Sequence, residues 1–231
     1  MRSAGAVIGG MVLHLLLNGC SSEGPVPGGG VADRPNPPAS PAAAPADVIP
    51  FADLSSLPEP LRETAVAAYE RARAAPDDPR AVGEIGMLYL MHGFPRAAAG
   101  CFERSILLDP DRMDWHYYLA LAQEGDGQVA PASKALDRAI ALAPEYAPLL
   151  VRQARLLLES DPVQSESLAR RAIEVSPESA TAWFELGRAV RTLGRPEEAL
   201  AAFRKAIEFA PAYADAHYAV AMLMISPWRL R

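Results

Sequence analysis

Five prolines, Pro76, Pro110, Pro144, Pro177 and Pro211, recur along this chain at intervals of 34, 34, 33 and 34 residues. Self-similarity at that period marks a solenoid in which each interval holds two helices and a turn. Pairs such as Leu186 with Val190 and Phe203 with Ile207 sit one helical turn apart, so apolar groups share a face. No stretch alternates with period two for long enough to suggest a sheet. The turns carry helix punctuation. Gly194 followed by Pro196, Glu197 and Glu198 predicts a left-handed glycine, then a proline-led helix start with acids in its first turn. Gly93 and Pro95 repeat the device, and Asp78 and Ser179 are placed as N-caps. The expected fold is all-α, an α-solenoid of helix–turn–helix repeats. Such arrays offer extended surfaces to other chains and seldom an active site.

Aligning on the prolines brings further residues into columns. Unit 180–213 has Trp183, Leu186, Gly187, Gly194, Ala199, Phe203, Ala206 and Pro211. Unit 79–112 has Ile85, Gly86, Tyr89, Gly93, Ala98, Phe102 and Pro110. Unit 113–146 keeps Leu119, Ala120, Ala132, Leu136, Ala139 and Pro144, with Trp115 one place early. Unit 147–179 is the weakest, with Ala154, Leu157, Ala172 and Pro177, and is one residue short near Asp161. Small members let two helices approach, and large ones fill the space between them. On these positions the chain resembles the tetratricopeptide repeat (TPR) family, with Val190 standing in for the usual large residue.

The array needs ends. Residues 58–78 read as a capping helix that stops at Pro76, in the register of a second helix lacking its first. Residues 214–231 read as a first helix, halted by Ser226-Pro227, whose Ala219, Val220, Met222, Leu223, Met224 and Ile225 make it apolar nearly all round. An end cap ordinarily turns a polar face outward. Here either the face meets a partner or a second copy, giving a homo-oligomer, or the chain is shortened relative to its relatives.

The first nineteen residues stand outside the fold. Arg2 precedes an apolar run, Ala4 to Leu17, too short to cross a ~30 Å hydrocarbon core comfortably. Leu17-Asn18-Gly19-Cys20 then resembles a bacterial lipobox, although Asn18 departs from the usual residue. The resemblance implies cleavage before Cys20 and its lipidation, a membrane anchor firm once two acyl chains are present. Ser21 lacks the inner-membrane retention Asp, so the analogy places the protein in the cell envelope, at the periplasmic side of the outer membrane. Residues 20–57, rich in Pro, Gly and Ala, read as a disordered tether. Cys101 reads as a core residue, with no disulfide framework.

Little points to chemistry. A net charge of −6 argues against nucleic acid. His116 and His217 share one repeat position but stand in distant units, and neither has a partner at metal-ligand spacing. No phosphate loop, dinucleotide fingerprint or nucleophile elbow is present. We expect no cofactor, no metal and no enzymatic activity.

In the family, first helices line a concave groove, and the register assigns its side chains here. Met87 and Met91 come first, then Tyr117 and Leu121, then Val151 and Arg155. Phe184, Arg188 and Arg191 follow, and Tyr218 and Met222 close the array. Arg155 and Arg188 share a position in adjacent units, so two guanidiniums in a row could hold carboxylates of an acidic peptide, or pair with Glu159 and Glu185. The family's Lys/Asn carboxylate clamp is absent. The expected function is a membrane-tethered scaffold that binds a peptide or protein partner, by analogy with secretin pilotins or cell-wall adaptors. Phe184→Ala and Arg188→Glu are expected to weaken capture without unfolding the array. A second reading is a non-catalytic accessory module of an envelope enzyme or redox system.

Overall fold

A computed structural model describes residues 49–225. The leader segment, Cys20, the tether up to residue 48 and the last six residues lie outside the described residues. Ten helices follow one another in the described part: α1 Glu59–Ala74, α2 Pro79–Met91, α3 Pro95–Leu108, α4 Met113–Gly125, α5 Val129–Leu142, α6 Ala147–Leu157, α7 Pro162–Val175, α8 Ala180–Thr192, α9 Pro196–Phe209 and α10 Ala214–Ile225. The pairs α2/α3, α4/α5, α6/α7 and α8/α9 are the four repeats. Each second helix also packs on the first helix of the next unit. Successive first helices touch as well, α2 with α4 and α6 with α8, while successive second helices make no comparable contact. The first helices therefore lie on the inside of the curve.

Local chemistry sets the boundaries. Gly93, Gly127 and Gly194 take φ of +80°, +77° and +77°, so three of the four intra-unit turns use a left-handed glycine. The side chains of Asp78 and Ser179 accept from the N–H groups of Arg80 and Ala182. The third unit turns without a glycine. There Asp161 caps α7 by accepting from Gln164 N–H at 2.9 Å, which accounts for the missing residue.

One internal rule governs the packing. Gly86 lies under Phe102 and Gly187 under Phe203, so closely that a methyl on Gly187 would sit 2.5 Å from the ring. In the second unit the same two columns hold Ala120 and Leu136, and in the third Ala154 and Ala169. As the first-helix residue grows, the second-helix residue shrinks. The third unit is poorer in apolar volume for this reason. It also carries buried Gln153 where the others have Ile85, Leu119 and Leu186; its amide donates to Ser133 Oγ and Asp137 Oδ1, each at 2.9 Å.

The histidines have a structural account. His116 Nε2 lies 2.9 Å from the carbonyl of Pro110 and His217 Nε2 lies 2.7 Å from that of Pro211. Trp183 Nε1, in the same column, donates to Pro177 O at 2.8 Å. A ring N–H at this position can thus satisfy the proline carbonyl that ends the preceding helix. Trp115, one place early, turns instead onto Gly83 of the preceding first helix, with the Arg112 guanidinium 4.7 Å above its ring. Cys101 is fully buried, and burial pushes its thiol up to about 12, so it stays a neutral core group.

The structure corrects the far end of the tether. Residues 49–57 pack against α1, α2 and α3. Ile49, Ala52 and Leu54 are buried, Phe51 meets Tyr69 of α1 edge-on at 5.1 Å, and Pro50 lies against Gly100 of α3. Ala52 N–H reaches the hydroxyl of Tyr89 in α2 at 3.4 Å. Averaged with its Pro- and Ala-rich neighbours, this segment reads as chain that cannot fold. Taken alone it holds enough apolar surface to cover the N-terminal end of the array.

On the second-helix side, a closed ring of two acids and two arginines ties the third unit to the fourth. Arg170 pairs with Glu166 and Glu198, and Arg195 pairs with the same two acids. Burial raises the Glu166 carboxyl, but its bonds to Arg195 and Arg170 outweigh that and hold it below the ordinary 4.5.

Candidate functional site

The inner wall is built by α2, α4, α6, α8 and α10, and the expected groove residues separate there into three groups. Tyr117, Leu121 and Val151 are buried. They form the floor of the wall, with little surface of their own exposed. Met87, Phe184, Arg155 and Arg188 are half-buried. Met91, Arg191, Tyr218 and Met222 are exposed. The wall that a guest could touch is thus apolar at both ends and cationic toward α8.

The two stacked arginines are brought together, but around an acid. Glu185, 1% exposed, receives Arg155 Nε at 2.8 Å and Arg188 Nη1 at 2.9 Å. The expected pairing with Glu185 forms, and both guanidiniums make it. Burying this carboxylate would be costly without them. Arg152 of α6 makes a matching bridge to Glu124 of α4 at 2.7 Å. Both bridges run from one first helix to the next, so they stitch the inner wall across unit boundaries.

Aromatic side chains complete this wall, and two of them fall outside the register reading. Tyr213, in the turn before α10, places its ring 4.9 Å from Phe184, which also lies 5.4 Å from Phe203. Burial, then the charge of Glu185, pushes the Tyr213 hydroxyl up to about 12. Tyr117 is raised by burial as well, with Arg152 pulling it down and Tyr146 and Glu124 pushing it up. Tyr146 and Tyr213 occupy one column, two residues after Pro144 and Pro211. That Pro-x-Tyr repeat was the available signal, and a reading confined to first helices passes over it. Arg152 and Glu124 give no such signal, because only the rotation of one unit against the next joins them.

Among the described residues, no three His, Cys, Asp or Glu side chains gather as a metal site would require, and no helix is long and apolar enough to cross a membrane. The geometry suits recognition. An aromatic floor, pinned arginines and exposed thioethers can grip an extended or helical segment.

The tetratricopeptide-repeat family model matches residues 83–147 and 159–216. No curated protein matches the chain in sequence. Among solved structures, MamA is 23% identical over 67% of this chain and 91% of its own, with a TM-score of 0.62. YrrB, described as a TPR protein with an unusual peptide-binding site, is 22% identical over 72% of this chain and 86% of its own, TM-score 0.61. TTC0263, a thermophilic TPR protein of Thermus thermophilus, is 21% identical over 72% of this chain and 91% of its own, TM-score 0.56. At these identities the likeness concerns the fold.

Proposed function

The chain belongs to the tetratricopeptide-repeat family, whose members typically mediate interactions without catalysis, and on that premise we propose that it is a membrane-anchored scaffold whose inner wall captures a segment of a partner protein. The observation that carries this reading is the composition of the wall: Met91 exposed at one end, half-buried Arg155 and Arg188 over an aromatic floor, and exposed Arg191 beyond them. The peptide-binding site ascribed to YrrB lends support on a fold of the same kind.

A photo-reactive residue at Arg191 tests it in living cells. We expect a discrete protein adduct from this site and none from Leu107, which is exposed on a second helix. Arg191→Glu should lower capture about tenfold, equivalent to ~1.4 kcal/mol. Equal labelling at both sites, or capture indifferent to Arg191→Glu, would remove the inner wall from consideration.

The anchor is supported by Leu17-Asn18-Gly19-Cys20 and the Pro-rich stretch behind it. Mass spectrometry of the mature protein should find acyl chains on an N-terminal Cys20. Cys20→Ser should move the protein from the membrane to the soluble fraction, since it removes ~0.8 kcal/mol per buried methylene. A native protein carrying no acyl group would end this part of the proposal.

A further inference from the structure

The three boundaries between complete units are built unequally. α3 packs broadly on α4 and α7 on α8, but α5 packs on α6 much less extensively. On the inner side α2 touches α4 and α6 touches α8, while α4 and α6 make no comparable contact. The core around Phe203 respects the same division: its members run from Ala154 to Leu223, and none comes from α1 to α5. Sequence accounts for the thin boundary. Gln153 stands where the other units bury Ile85, Leu119 and Leu186, so a polar group replaces an apolar one. Its Nε2 donates to Ser133 Oγ and Asp137 Oδ1 of α5. A carboxylate only accepts, so Asp137 fixes the amide this way round and turns Oε1 elsewhere. That Oε1 is buried and has no partner. An enclosed acceptor left unpaired weighs against the closed arrangement, and water relieves it once the two helices part. Opposing this, Arg152 and Glu124 bridge α6 to α4 at 2.7 Å on the inner side, with 23% and 31% of their side chains exposed. A pair so open to solvent holds weakly.

We propose that the α5/α6 boundary is a hinge, about which α1–α5 and α6–α10 move as two stiff halves. When it is closed, the Arg152–Glu124 bridge holds the inner wall together. When it opens, that bridge parts and the Gln153 amide is hydrated. The motion changes the distance from Tyr117 and Leu121 on one half to Arg155 and Arg188 on the other, so it sets the width of the inner wall. Glu185 keeps its two arginines throughout, because all three lie in the second half. A hinge needs one low-cost boundary between well-packed bodies, and a nearest-neighbour array puts it where the interface is poorest. Hinge motion of this kind is independent of what the wall binds.

Spin labels on pairs of azido-phenylalanine residues in the full-length chain measure the motion without using Cys20 or Cys101. Leu107 with Val129, Val129 with Val175, and Val163 with Phe209 each join one second helix to the next, and all of these side chains are exposed. The Val129–Val175 pair crosses α5/α6 and should show a distance distribution about twice as broad as the other two pairs. Gln153→Leu, which restores the apolar residue of this column, should narrow it to their width. Two results overturn the proposal. One is a Val129–Val175 distribution no broader than its neighbours. The other is a broad distribution that Gln153→Leu leaves unchanged or widens in a chain whose helix content is intact. Should Gln153→Leu fail to fold, Arg152→Ala decides in its place: loss of the inner bridge should broaden the Val129–Val175 distribution further, and no broadening overturns the hinge.

Discussion

Arg188→Glu destabilises the fourth repeat by about 2–4 kcal/mol, whereas Arg191→Glu, one turn further along α8, costs less than about 0.5 kcal/mol. The difference follows from Glu185. This carboxylate is almost wholly enclosed and is held by Arg155 from α6 and Arg188 from its own helix. Reversing Arg188 removes one of two compensating charges and puts a second carboxylate in its place. The loss of one partner of a buried pair is typically worth ~3–5 kcal/mol, and the 29% exposure of the Arg188 side chain brings the figure down through solvent screening. Chemical denaturation monitored by hydrogen exchange in α8 and α9 measures it directly. Adding Glu185→Gln should recover more than half of the loss, since the carboxylate repulsion disappears while the shape is kept. An undiminished loss in the double variant would mean that Glu185 is not the source. Because Arg188 is bound to buried Glu185, Arg188→Glu should change stability as well as partner capture. Arg191→Glu is the variant that reads binding.

Glu185 also shows where sequence stops being informative. The 34-residue period, the glycine turns and the small-and-large columns are legible because each concerns contacts within one helix pair, at fixed sequence separation. His116 and His217 stand at the position of Trp183, and their bonds to Pro110 and Pro211 cross a unit boundary over a fixed six residues, as its bond to Pro177 does. The inner wall depends on a further quantity, the rotation of each unit against the next. Arg155 meets Glu185 across 30 residues and Arg152 meets Glu124 across 28, and no periodic pattern states which first-helix side chains will touch. Tyr117, Leu121 and Val151, assigned to the groove by register, are buried, a depth that register alone does not state. Residues 49–57 failed for a different reason. Composition averaged over a long Pro-rich stretch conceals a few apolar residues at its end, and those few suffice to cover α1 and α2.

Phe203→Ala should be the most damaging single change in the array, at about 3–5 kcal/mol, because a fully buried ring is lost and the cavity cannot collapse onto glycine. The Phe203 ring touches Gly187 and Phe184 and joins a core that reaches from Ala154 and Ala169 to Leu223. A solenoid is stabilised by nearest neighbours, so the loss should appear as early unfolding of α8 to α10 while α2 to α5 hold. Gly187→Ala should cost about 1–3 kcal/mol for the opposite reason, overpacking against that ring. The inverse size relation of these columns makes the combination informative. The second repeat carries Ala120 with Leu136, so Gly187→Ala with Phe203→Leu recreates a pair the chain already uses. The double variant should be more stable than the sum of its single changes predicts, by about 1–2 kcal/mol. Denaturant midpoints of the four proteins of that cycle give the coupling. Strict additivity would show that Gly187 and Phe203 do not constrain one another, and that the small-and-large columns reflect something other than the distance between paired helices.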